Sequence, residues 1–542
     1  MPIFAKLSNK VRSLVDDSKP PGSSFPGTGV NSQQQQQSFS QPGSEAGGRI
    51  PIGNGSKSEI MRYRFWAGVN LGSWFTLEKW ISSSPFEGAA PPGGSDLDIC
   101  KSGRPKEEIK RKLEQHWDTW IVESDFEFLA QRGINSIRLP ISYYHLSGLD
   151  PSLVKDTEFD FTVEIYQGAW SRITRAFEWA NRYHIGVLVD LHAVPGKQNP
   201  DAHAGASHEA LLFTHQKYQA QTVRTLEVLL RAIAGVENVI GLELMNEPAA
   251  CPQLQKFHLN TLNRLRSICG PDFPLMISDA WQLEAGLKIY FPTSSFILLD
   301  THVYRCFTSD DCAKSAERHA EEVRGDLSGR LGTDLVQKSE SGGGRVIVGE
   351  WSGALNPGSL NGSQGGEQDA KRRNFVRAQL EVFEGKTSGY FFWTYRKQDG
   401  WDAGWSFKDA CRAEIIPVFL GPKHKGNVQI SPDLLSQRRQ FATNAHSQYW
   451  DKAVRRPMEH DRFQSGYTTG WEDALHFLSS GTVYGNGPAA EIPAAGGQWK
   501  VRRFEEHIAQ RGSGEFAWEW GHGFDQGRQA ATEAWKTSSL LS

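Results

Sequence analysis

The chain of 542 residues has almost no net charge and no long apolar run. Its 59 Lys and Arg residues oppose 62 Asp and Glu residues, so no excess of positive charge is available to neutralise the phosphates of a nucleic acid. No stretch approaches the roughly 18 uncharged apolar residues that predict a membrane span. We therefore expect neither a nucleic-acid partner nor a membrane-spanning segment.

Cysteines and nucleotide-binding motifs are also scarce. The six cysteines form no C-x-x-C pair, which argues against a zinc knuckle, and six are too few for a disulfide scaffold in a chain of this length. No G-x-G-x-x-G follows the first predicted strand, and no G-x-x-x-x-G-K-[ST] occurs anywhere. The sequence therefore predicts mostly free thiols and no cofactor.

Residues 1–58 lack the composition of a folded domain. Between residues 18 and 57 the chain is rich in Pro, Gly, Ser and Gln, and such a segment cannot bury enough apolar surface to offset the entropy of ordering. Before it, Lys6, Lys10 and Arg12 interleave with apolar residues at helical spacing, without the apolar core of a secretory signal. We expect a disordered or amphipathic segment and a cytoplasmic protein, with a mitochondrial presequence or a membrane-surface helix as the alternative.

Eight short, apolar, β-branched runs alternate with amphipathic stretches between residues 62 and 425. Near-continuous apolar strands that alternate with helices predict a parallel sheet whose outer face is covered by the helices. Eight such units predict an α/β fold of the (β/α)8 TIM-barrel type, and a doubly wound open sheet is the alternative. The predicted strands are Phe65–Leu71, Ser136–Ile141, Gly186–His192, Val239–Asn246, Pro274–Ala280, Phe296–Tyr304, Arg345–Trp351 and Gly389–Tyr395.

Residues 430–542 follow the predicted barrel and contain a weak repeat. An aromatic residue stands three positions before a glycine, another follows that glycine directly, and a second glycine comes four positions on, as in Phe463–Trp471 and Trp520–Arg528. On a helix, glycines four apart form a flat face that permits close packing. We predict a mainly helical extension whose repeats pack on each other or on the barrel. A module that binds a protein partner is the alternative.

Polar side chains stand where the predicted strands end, which is where barrel enzymes gather their catalytic groups. Glu247 follows the fourth strand and Glu350 lies near the end of the seventh, so the two carboxylates should face each other across the barrel mouth. Neither cysteine nor a convincing His/Asp triad accompanies them, so no metal site is predicted. Glu243 and Asp190 are interpreted as polar residues that fill the barrel interior. The remaining strand-end residues of interest are Arg138, His192, Asn246, His302, Tyr304 and Trp393.

Two carboxylates without a metal suit the cleavage of a glycosidic bond. One carboxyl group protonates the leaving oxygen and needs a raised pKa, which a nearby carboxylate and a partly apolar wall supply. The other attacks or stabilises the anomeric carbon and must stay ionised, which requires hydrogen bonds from Arg138 or Tyr304. Asn246 can hold the sugar 2-hydroxyl, and Trp393 offers a platform for the ring. A content of 18 Trp agrees with sugar binding.

Seven motifs, in order along residues 62–417, resemble those of fungal exo-β-1,3-glucanases of glycoside hydrolase family 5. A single motif such as Asn-Glu-Pro is weak, but seven in the family's order are specific. The motifs are Gly68–Trp74 with Leu77–Trp80, Ile137–Ile141, Asp190–His192, Leu244–Pro248, His302–Tyr304, Val348–Ser352 and Phe392–Thr394.

The resemblance implies a retaining exo-β-1,3-glucanase or β-glucosidase that acts on a β-glucan or β-glucoside by double displacement. It implies that Glu247 is the general acid/base and Glu350 the nucleophile, with Arg138 supporting the nucleophile. By the same resemblance Glu78 binds the terminal glucose. The implied contacts to the sugar in the −1 subsite are His192, Asn246, His302 and Tyr304, with Trp393 stacked below it.

Two departures from the family pattern leave the linkage open. The loop Gln198–Asp201 lacks the aromatic side chain that often clamps the +1 sugar, and Phe307 is predicted to supply the other half of such a clamp. Tyr395–Lys397 replaces the more usual Trp-Lys. β-1,6-Glucan and a glucosylated lipid are therefore alternative substrates, and transglycosylation is an alternative outcome. A non-catalytic carbohydrate-binding barrel that acts as an interaction protein is the alternative function.

Overall fold

The computed structural model describes residues 56–290, 295–327, 345–420, 430–454, 456–479 and 496–538. Residues 1–55 fall outside this set, so nearly all of the predicted disordered or amphipathic segment lies outside the described residues. The six cysteines lie inside it and are free thiols. Within these ranges, no helix combines the length and the apolar character that crossing a bilayer requires.

Eight parallel strands form a closed barrel in which each strand pairs with its neighbours in sequence and the eighth closes on the first. The predicted (β/α)8 barrel is confirmed, and the strands coincide with the predicted runs except for a few residues at their ends. Every strand residue is buried, because helices cover the outside and side chains fill the inside. The strands are β1 Trp66–Asn70, β2 Ser136–Ser142, β3 Gly186–Ala193, β4 Val239–Glu243, β5 Leu275–Ser278, β6 Ile297–Val303, β7 Val346–Trp351 and β8 Gly389–Phe392.

Helices precede, connect and follow the strands. They are α1 Lys57–Tyr63, α2 Asp96–Cys100, α3 Lys106–Thr119, α4 Glu123–Ala130, α5 Val163–Tyr166, α6 Ala169–Arg182, α7 Gln216–Ile233, α8 Leu254–Cys269, α9 Leu283–Tyr290, α10 Ser309–Ala313, α11 Ala316–Glu322, α12 Gly366–Lys386 and α13 Phe407–Arg412. The amphipathic stretch before β2 divides into α3 and α4. The second helix starts anew because the Asp125 carboxylate accepts a hydrogen bond from the Val122 backbone N–H at 3.0 Å.

The inside of the barrel changes character along its axis. At the lower end, where the strands begin, apolar side chains such as Trp66 and Phe391 fill the interior. Higher up, Arg138 is fully buried and pairs with Glu243 at 2.7 Å and with Asp190 at 3.0 Å. These two carboxylates therefore lie in the barrel interior as predicted, and they share the charge of one guanidinium.

The C-terminal part is helical, as predicted, and its two repeats pack against each other. Its helices are α14 Pro432–Ala453, α15 His460–Ser479, α16 Gly496–Arg511 and α17 Trp518–Thr537. Gly466 and Gly470 of α15 lie against the α17 backbone, while Gly523 and Gly527 of α17 lie against the α15 backbone. A methyl group at any of the four would meet a backbone carbonyl of the facing helix, so this close approach requires glycine.

The same helices also close the lower end of the barrel. Phe477, Trp499, Trp520 and Phe524 belong to one apolar cluster with the interior side chains at the strand starts and with α1. Trp499 packs edge-on against Tyr63 of α1, with ring centroids 4.9 Å apart. Beside these rings, Arg502 of α16 pairs with Glu59 of α1 at 2.9 Å, and the Gln498 carboxamide faces the buried Arg345 guanidinium. The extension is thus packed on the lower end of the barrel, opposite the C-terminal ends of the strands.

Candidate active site

Two glutamates face each other at the upper end of the barrel. Glu247 lies in the loop after β4, and Glu350 is the penultimate residue of β7. One carboxylate oxygen of Glu247 lies within 4.8 Å of one of Glu350, close to the roughly 5–5.5 Å carboxyl separation typical of retaining glycosidases. The backbone of Glu247 is left-handed, with φ of 42°. Such a conformation costs about 1–3 kcal/mol in a residue other than glycine and is often found at functional sites.

Glu350 is buried, and its carboxylate accepts two hydrogen bonds, one from a guanidinium group and one from a phenolic hydroxyl. Arg138 Nη1 donates to Oε1 at 3.0 Å, and the Tyr304 hydroxyl donates to Oε2 at 2.7 Å. Arg138 reaches the carboxylate from β2, and Tyr304 follows β6. Both donors stabilise the negative charge that a nucleophilic carboxylate needs. The two residues predicted to keep this carboxylate ionised therefore both contact it.

His302 joins the two glutamates. Its Nδ1 lies 2.7 Å from Glu247 Oε1 and 3.4 Å from Glu350 Oε2, while its Nε2 lies 3.0 Å from Asp300 Oδ2. Burial alone would lower the pKa of His302, but the carboxylates of Glu350 and Asp300 outweigh burial and raise this pKa well above its ordinary value. The carboxylates at its two nitrogens therefore favour the protonated form of the ring.

The predicted rise in the pKa of Glu247 is wrong. Burial raises this pKa, but the hydrogen bond and charge of His302 outweigh burial, and the pKa falls to about 2. The sequence indicated a nearby carboxylate and an apolar wall, whereas the structure adds the His302 imidazole at 2.7 Å. One hydrogen bond therefore links His302 Nδ1 to the Glu247 carboxylate, and it lowers the pKa of that carboxyl group.

Asn246, His192 and Trp393 form one wall beside the carboxylates. The Asn246 carboxamide oxygen accepts a hydrogen bond from Arg138 Nη2 at 2.8 Å, and its Nδ2 lies 3.4 Å from His192 Nε2. His192 Nδ1 in turn bonds to Asp190 at 2.6 Å. The Trp393 indole lies parallel to the His192 ring, with centroids 5.9 Å apart. These three predicted site residues therefore form a connected surface whose orientation is fixed by buried charges.

Glu78 lies near His192 and brings a further histidine into the site. The Trp80 indole N–H donates to Glu78 Oε2 at 2.7 Å. Burial raises the pKa of Glu78 to about 7, although the charge of His203 opposes this rise. Glu78, His192 and His203 each place one side-chain nitrogen or carboxylate oxygen within 4.8 Å of those of the other two. His203 Nε2 also lies 3.7 Å from Glu247 Oε2.

The loop after β3, which lacks the expected aromatic clamp, instead supports the backbone around the acid/base candidate. Gln198 Nε2 donates to the backbone carbonyls of His192 at 2.6 Å and Asn246 at 2.9 Å. Asn199 Nδ2 donates to the Glu247 carbonyl at 2.9 Å. These two buried amides fix the strained segment that presents Glu247.

Three residues of the site were missed by sequence reasoning. His203 lies in the same loop after β3, two residues beyond the Gln198–Asp201 segment. Asp300 stands two residues before His302 on β6 and therefore on the same face, a period-2 signal that could have identified it. Trp281, directly after the predicted β5 end, is 59% exposed and has its ring centroid 6.1 Å from that of His302.

Phe307 lies at the rim rather than among the hydrogen-bonded residues. It is 45% exposed, and its ring packs against Tyr304 at 5.6 Å and Trp405 at 5.8 Å. Phe307 and Trp281 are thus exposed aromatic rings beside two residues of the catalytic pocket. The other seven predicted substrate-binding residues form one network around the two glutamates.

Several groups at the upper end could offer three ligand atoms to a cation, including Glu247, His302 and Glu350. In this set Arg138 already bonds to Glu350, and the His302 imidazolium lies between the two glutamates. Arg138 and His302 supply the positive charge that a metal ion would otherwise bring to these carboxylates.

Two family models match the chain. Residues 103–399 match the model described as cellulase (glycosyl hydrolase family 5), and residues 434–535 match the glucan 1,3-beta-glucosidase 3 C-terminal domain. The first covers the barrel from α3 to beyond β8, and the second covers the helical extension.

Curated proteins give the same relationship, and a solved structure shares the fold. Glucan 1,3-beta-glucosidase 3 of Schizosaccharomyces pombe is 32% identical over 444 residues, which are 79% of this chain and 90% of that protein. An uncharacterized glycosyl hydrolase of Saccharomyces cerevisiae is 29% identical and covers 87% of this chain and 91% of its own length. The crystal structure of rutinosidase from Aspergillus niger superposes with a TM-score of 0.53 at 20% identity, over 66% of this chain and 99% of that one, a likeness of fold.

Proposed function

This chain belongs to glycosyl hydrolase family 5, and we propose that it is a retaining β-glucosidase of the exo-β-1,3-glucanase type. Its substrate is a β-glucan or β-glucoside with a free terminal glucose. One observation carries the mechanism: a buried carboxylate held by Arg138 and Tyr304 lies within 4.8 Å of a second carboxylate that is hydrogen-bonded to a buried histidine. The non-catalytic alternative is not favoured, because the chemistry of binding alone needs neither carboxylate.

In the first step, the Glu350 carboxylate attacks the anomeric carbon and the glycosidic bond breaks. Glu247 gives a proton to the leaving oxygen, so a shortened glucan departs and a glucosyl ester remains on Glu350. In the second step, Glu247 takes a proton from water, the water oxygen attacks the anomeric carbon, and the ester bond breaks. Two inversions release glucose in the β configuration.

His302 supplies the proton that Glu247 lacks in the substrate-free site. The raised pKa of His302 depends on the negative charges of Glu350 and Asp300. As Glu350 becomes an ester, its charge is neutralised, so the proton on Nδ1 loses an attractive neighbour and moves along the 2.7 Å hydrogen bond to Glu247. The proton that Glu247 later takes from water returns to His302 as the ester bond breaks and the negative charge of Glu350 is restored. Acid catalysis and nucleophilic attack are thereby coupled through one imidazole.

The remaining residues bind the sugar. Glu78, His192 and Asn246 form hydrogen bonds with hydroxyls of the terminal glucose, and Trp393 stacks on its ring. His203 faces the second oxygen of Glu247, on the side where the leaving group departs. The exposed rings of Phe307 and Trp281 contact the sugar that follows the scissile bond.

Proton NMR during hydrolysis of a laminari-oligosaccharide tests the proposal. We expect β-glucose as the first anomer, with α-glucose appearing only at the rate of mutarotation. Initial α-glucose would contradict retention, and internal cleavage to oligosaccharides would contradict exo action. A parallel series of β-1,3-, β-1,6- and β-1,4-linked glucobioses, with a glucosylated lipid, ranks the linkages; we expect the β-1,3 disaccharide to have the highest kcat/KM.

A further inference from the structure

A second cluster of ionisable groups lies within the C-terminal helices. Glu519 Oε2 of α17 is 2.9 Å from His446 Nε2 of α14 and 2.8 Å from His460 Nδ1 of α15. The side chains of His446 and Glu519 are fully buried, and that of His460 is 20% exposed. Three helices thus direct two imidazole nitrogens and one carboxylate oxygen at a single point.

Further groups hold these side chains in place. Asp451 Oδ1 lies 3.0 Å from the other nitrogen of His460, and the Glu459 backbone N–H donates to the other oxygen of Glu519 at 2.9 Å. A carboxylate on the far nitrogen of a histidine is the usual outer partner of a metal-binding imidazole, because it fixes the tautomer and the ring orientation.

The cluster is shielded by aromatic rings and contains nitrogens without partners. Phe463 stacks on His446 with centroids 4.1 Å apart. The Nδ1 atoms of His446 and His522 are buried and have no hydrogen-bond partner. His522 stands one helical turn after Glu519 on the same helix, and its ring centroid is 5.1 Å from that of His446. Hydrogen bonding within the cluster therefore leaves one buried nitrogen on each of two imidazoles unsatisfied.

We propose that His446, His460 and Glu519 bind one divalent transition-metal ion, and that Zn²⁺ fits them best. Two imidazoles and one carboxylate are a frequent zinc ligand set, whereas Ca²⁺ and Mg²⁺ prefer oxygen ligands throughout. The charges balance, since Zn²⁺ with neutral histidines is compensated by Glu519 and Asp451. His522 or a water molecule completes the tetrahedron.

The ion would be structural. It cross-links α14, α15 and α17, and the residue after Glu519 is Trp520, which packs on the lower end of the barrel. Metal binding to the folded state alone raises its stability, so the ion strengthens the packing of the extension under the barrel and takes no part in the glycosidase reaction.

The test uses the full chain, stripped with a chelator and then titrated with Zn²⁺. Bound metal is measured by elemental analysis after desalting, and the thermal transition is followed in parallel. We expect about one equivalent of Zn²⁺ and a Tm that rises until that equivalent is bound. The exposed-residue control His215→Ala keeps the equivalent, whereas His446→Ala and Glu519→Gln lose it. His460→Asn provides a further ligand variant if the buried ones fail to fold.

The visible absorption spectrum of bound Co²⁺ reports the ligand geometry in the protein without any mutation. We expect the intense visible absorption of tetrahedral Co²⁺, displaced stoichiometrically by Zn²⁺. Failure of the stripped protein to bind Zn²⁺ would overturn the proposal and leave a cluster held by hydrogen bonds alone. Zn²⁺ that persists in folded Glu519→Gln but disappears in Glu350→Gln would overturn it as well, because the ion would then reside among the carboxylates of the barrel.

Discussion

The two ends of the barrel interior differ in chemistry, in partners and in consequence. At the upper end, Arg138 and His302 compensate several buried carboxylates, and each polar group depends on another for its charge state. At the lower end, apolar side chains fill the interior and the C-terminal helices cover them. The upper end holds buried charged groups that can act on a substrate. The lower end buries apolar surface that stabilises the fold.

Because of this difference, substitutions in the extension and substitutions of the catalytic residues should affect different properties of the protein. Trp499 and Trp520 meet the barrel at the strand starts, whereas Glu247 and Glu350 stand at the strand ends. Substitutions at the upper end should change turnover with little loss of stability. Substitutions at the lower end should do the reverse.

Glu350→Gln should have the largest effect on turnover. The amide cannot form the glucosyl ester, so we expect kcat on a β-glucoside to fall by about 10⁴-fold or more. The Tm should change little, because Arg138 keeps its pairs with Glu243 and Asp190. The matched control is Glu107→Gln on the exposed face of α3, which should retain full activity. A Glu350→Gln protein with near-normal kcat would contradict the assignment of the catalytic site to the upper end of the barrel.

Trp499→Ala should have the largest effect on stability. It removes a buried indole from the lower end of the barrel, which costs about 3–5 kcal/mol, and it should leave kcat at 25 °C unchanged in the fraction that is folded. Urea unfolding and activity on the same samples measure the two effects. Phe441→Ala, at a 78% exposed position on α14, is the control with little effect on either. A loss of kcat without a loss of stability would contradict the separation of the two ends.

Glu78→Gln should change the pH dependence of substrate binding. Burial raises the pKa of Glu78 to about 7. At lower pH the carboxyl group is therefore protonated and is a poorer acceptor of hydrogen bonds from sugar hydroxyls. We expect KM to decrease as the pH rises through about 7 in the parent enzyme. In Glu78→Gln this decrease should vanish, and kcat/KM should be about 10- to 100-fold lower, the range for a lost hydrogen bond to a charged group. An unchanged KM profile would remove Glu78 from the sugar site.

Gly523→Ala and Gly521→Ala should separate close packing from helix propensity within one helix. The added methyl of Gly523→Ala meets the backbone of α15, so α15 and α17 must move apart at a cost of about 1–3 kcal/mol. At Gly521 the nearest obstacle is the flexible end of the Lys500 side chain, so alanine should be tolerated or slightly stabilising. Equal effects on the Tm would show that the glycine face does not hold the two helices together.

The sequence was informative where one pattern had one structural meaning. Buried parallel strands must be apolar along their whole length, so the eight runs identified the barrel. The carboxyl ends of parallel strands share one edge, so the sequence pattern alone predicts that Glu247 and Glu350 face each other. The glycine repeat likewise indicated helices in close contact, because glycines four apart serve few other purposes on a helix.

The misses arose where the outcome depends on loops and on charge balance. His203 belongs to an irregular loop whose path follows from the contacts of Gln198 and Asn199, not from periodicity. The lowered pKa of Glu247 reflects a competition between burial and His302 that only distances can decide. The docking of the extension was also open, since Trp66 and Phe391 look like any other apolar strand residue.

The central claim is that Glu350 forms a covalent bond with glucose during turnover. An activated 2-deoxy-2-fluoro-β-glucoside, which forms the glucosyl ester quickly and hydrolyses it slowly, tests this claim by mass spectrometry of the intact protein and of its peptides. We predict one added fluoroglucosyl group, located on the peptide that contains Glu350, and loss of activity in proportion to labelling. A label on any other residue, or full activity on β-glucosides with no label at all, would contradict the claim.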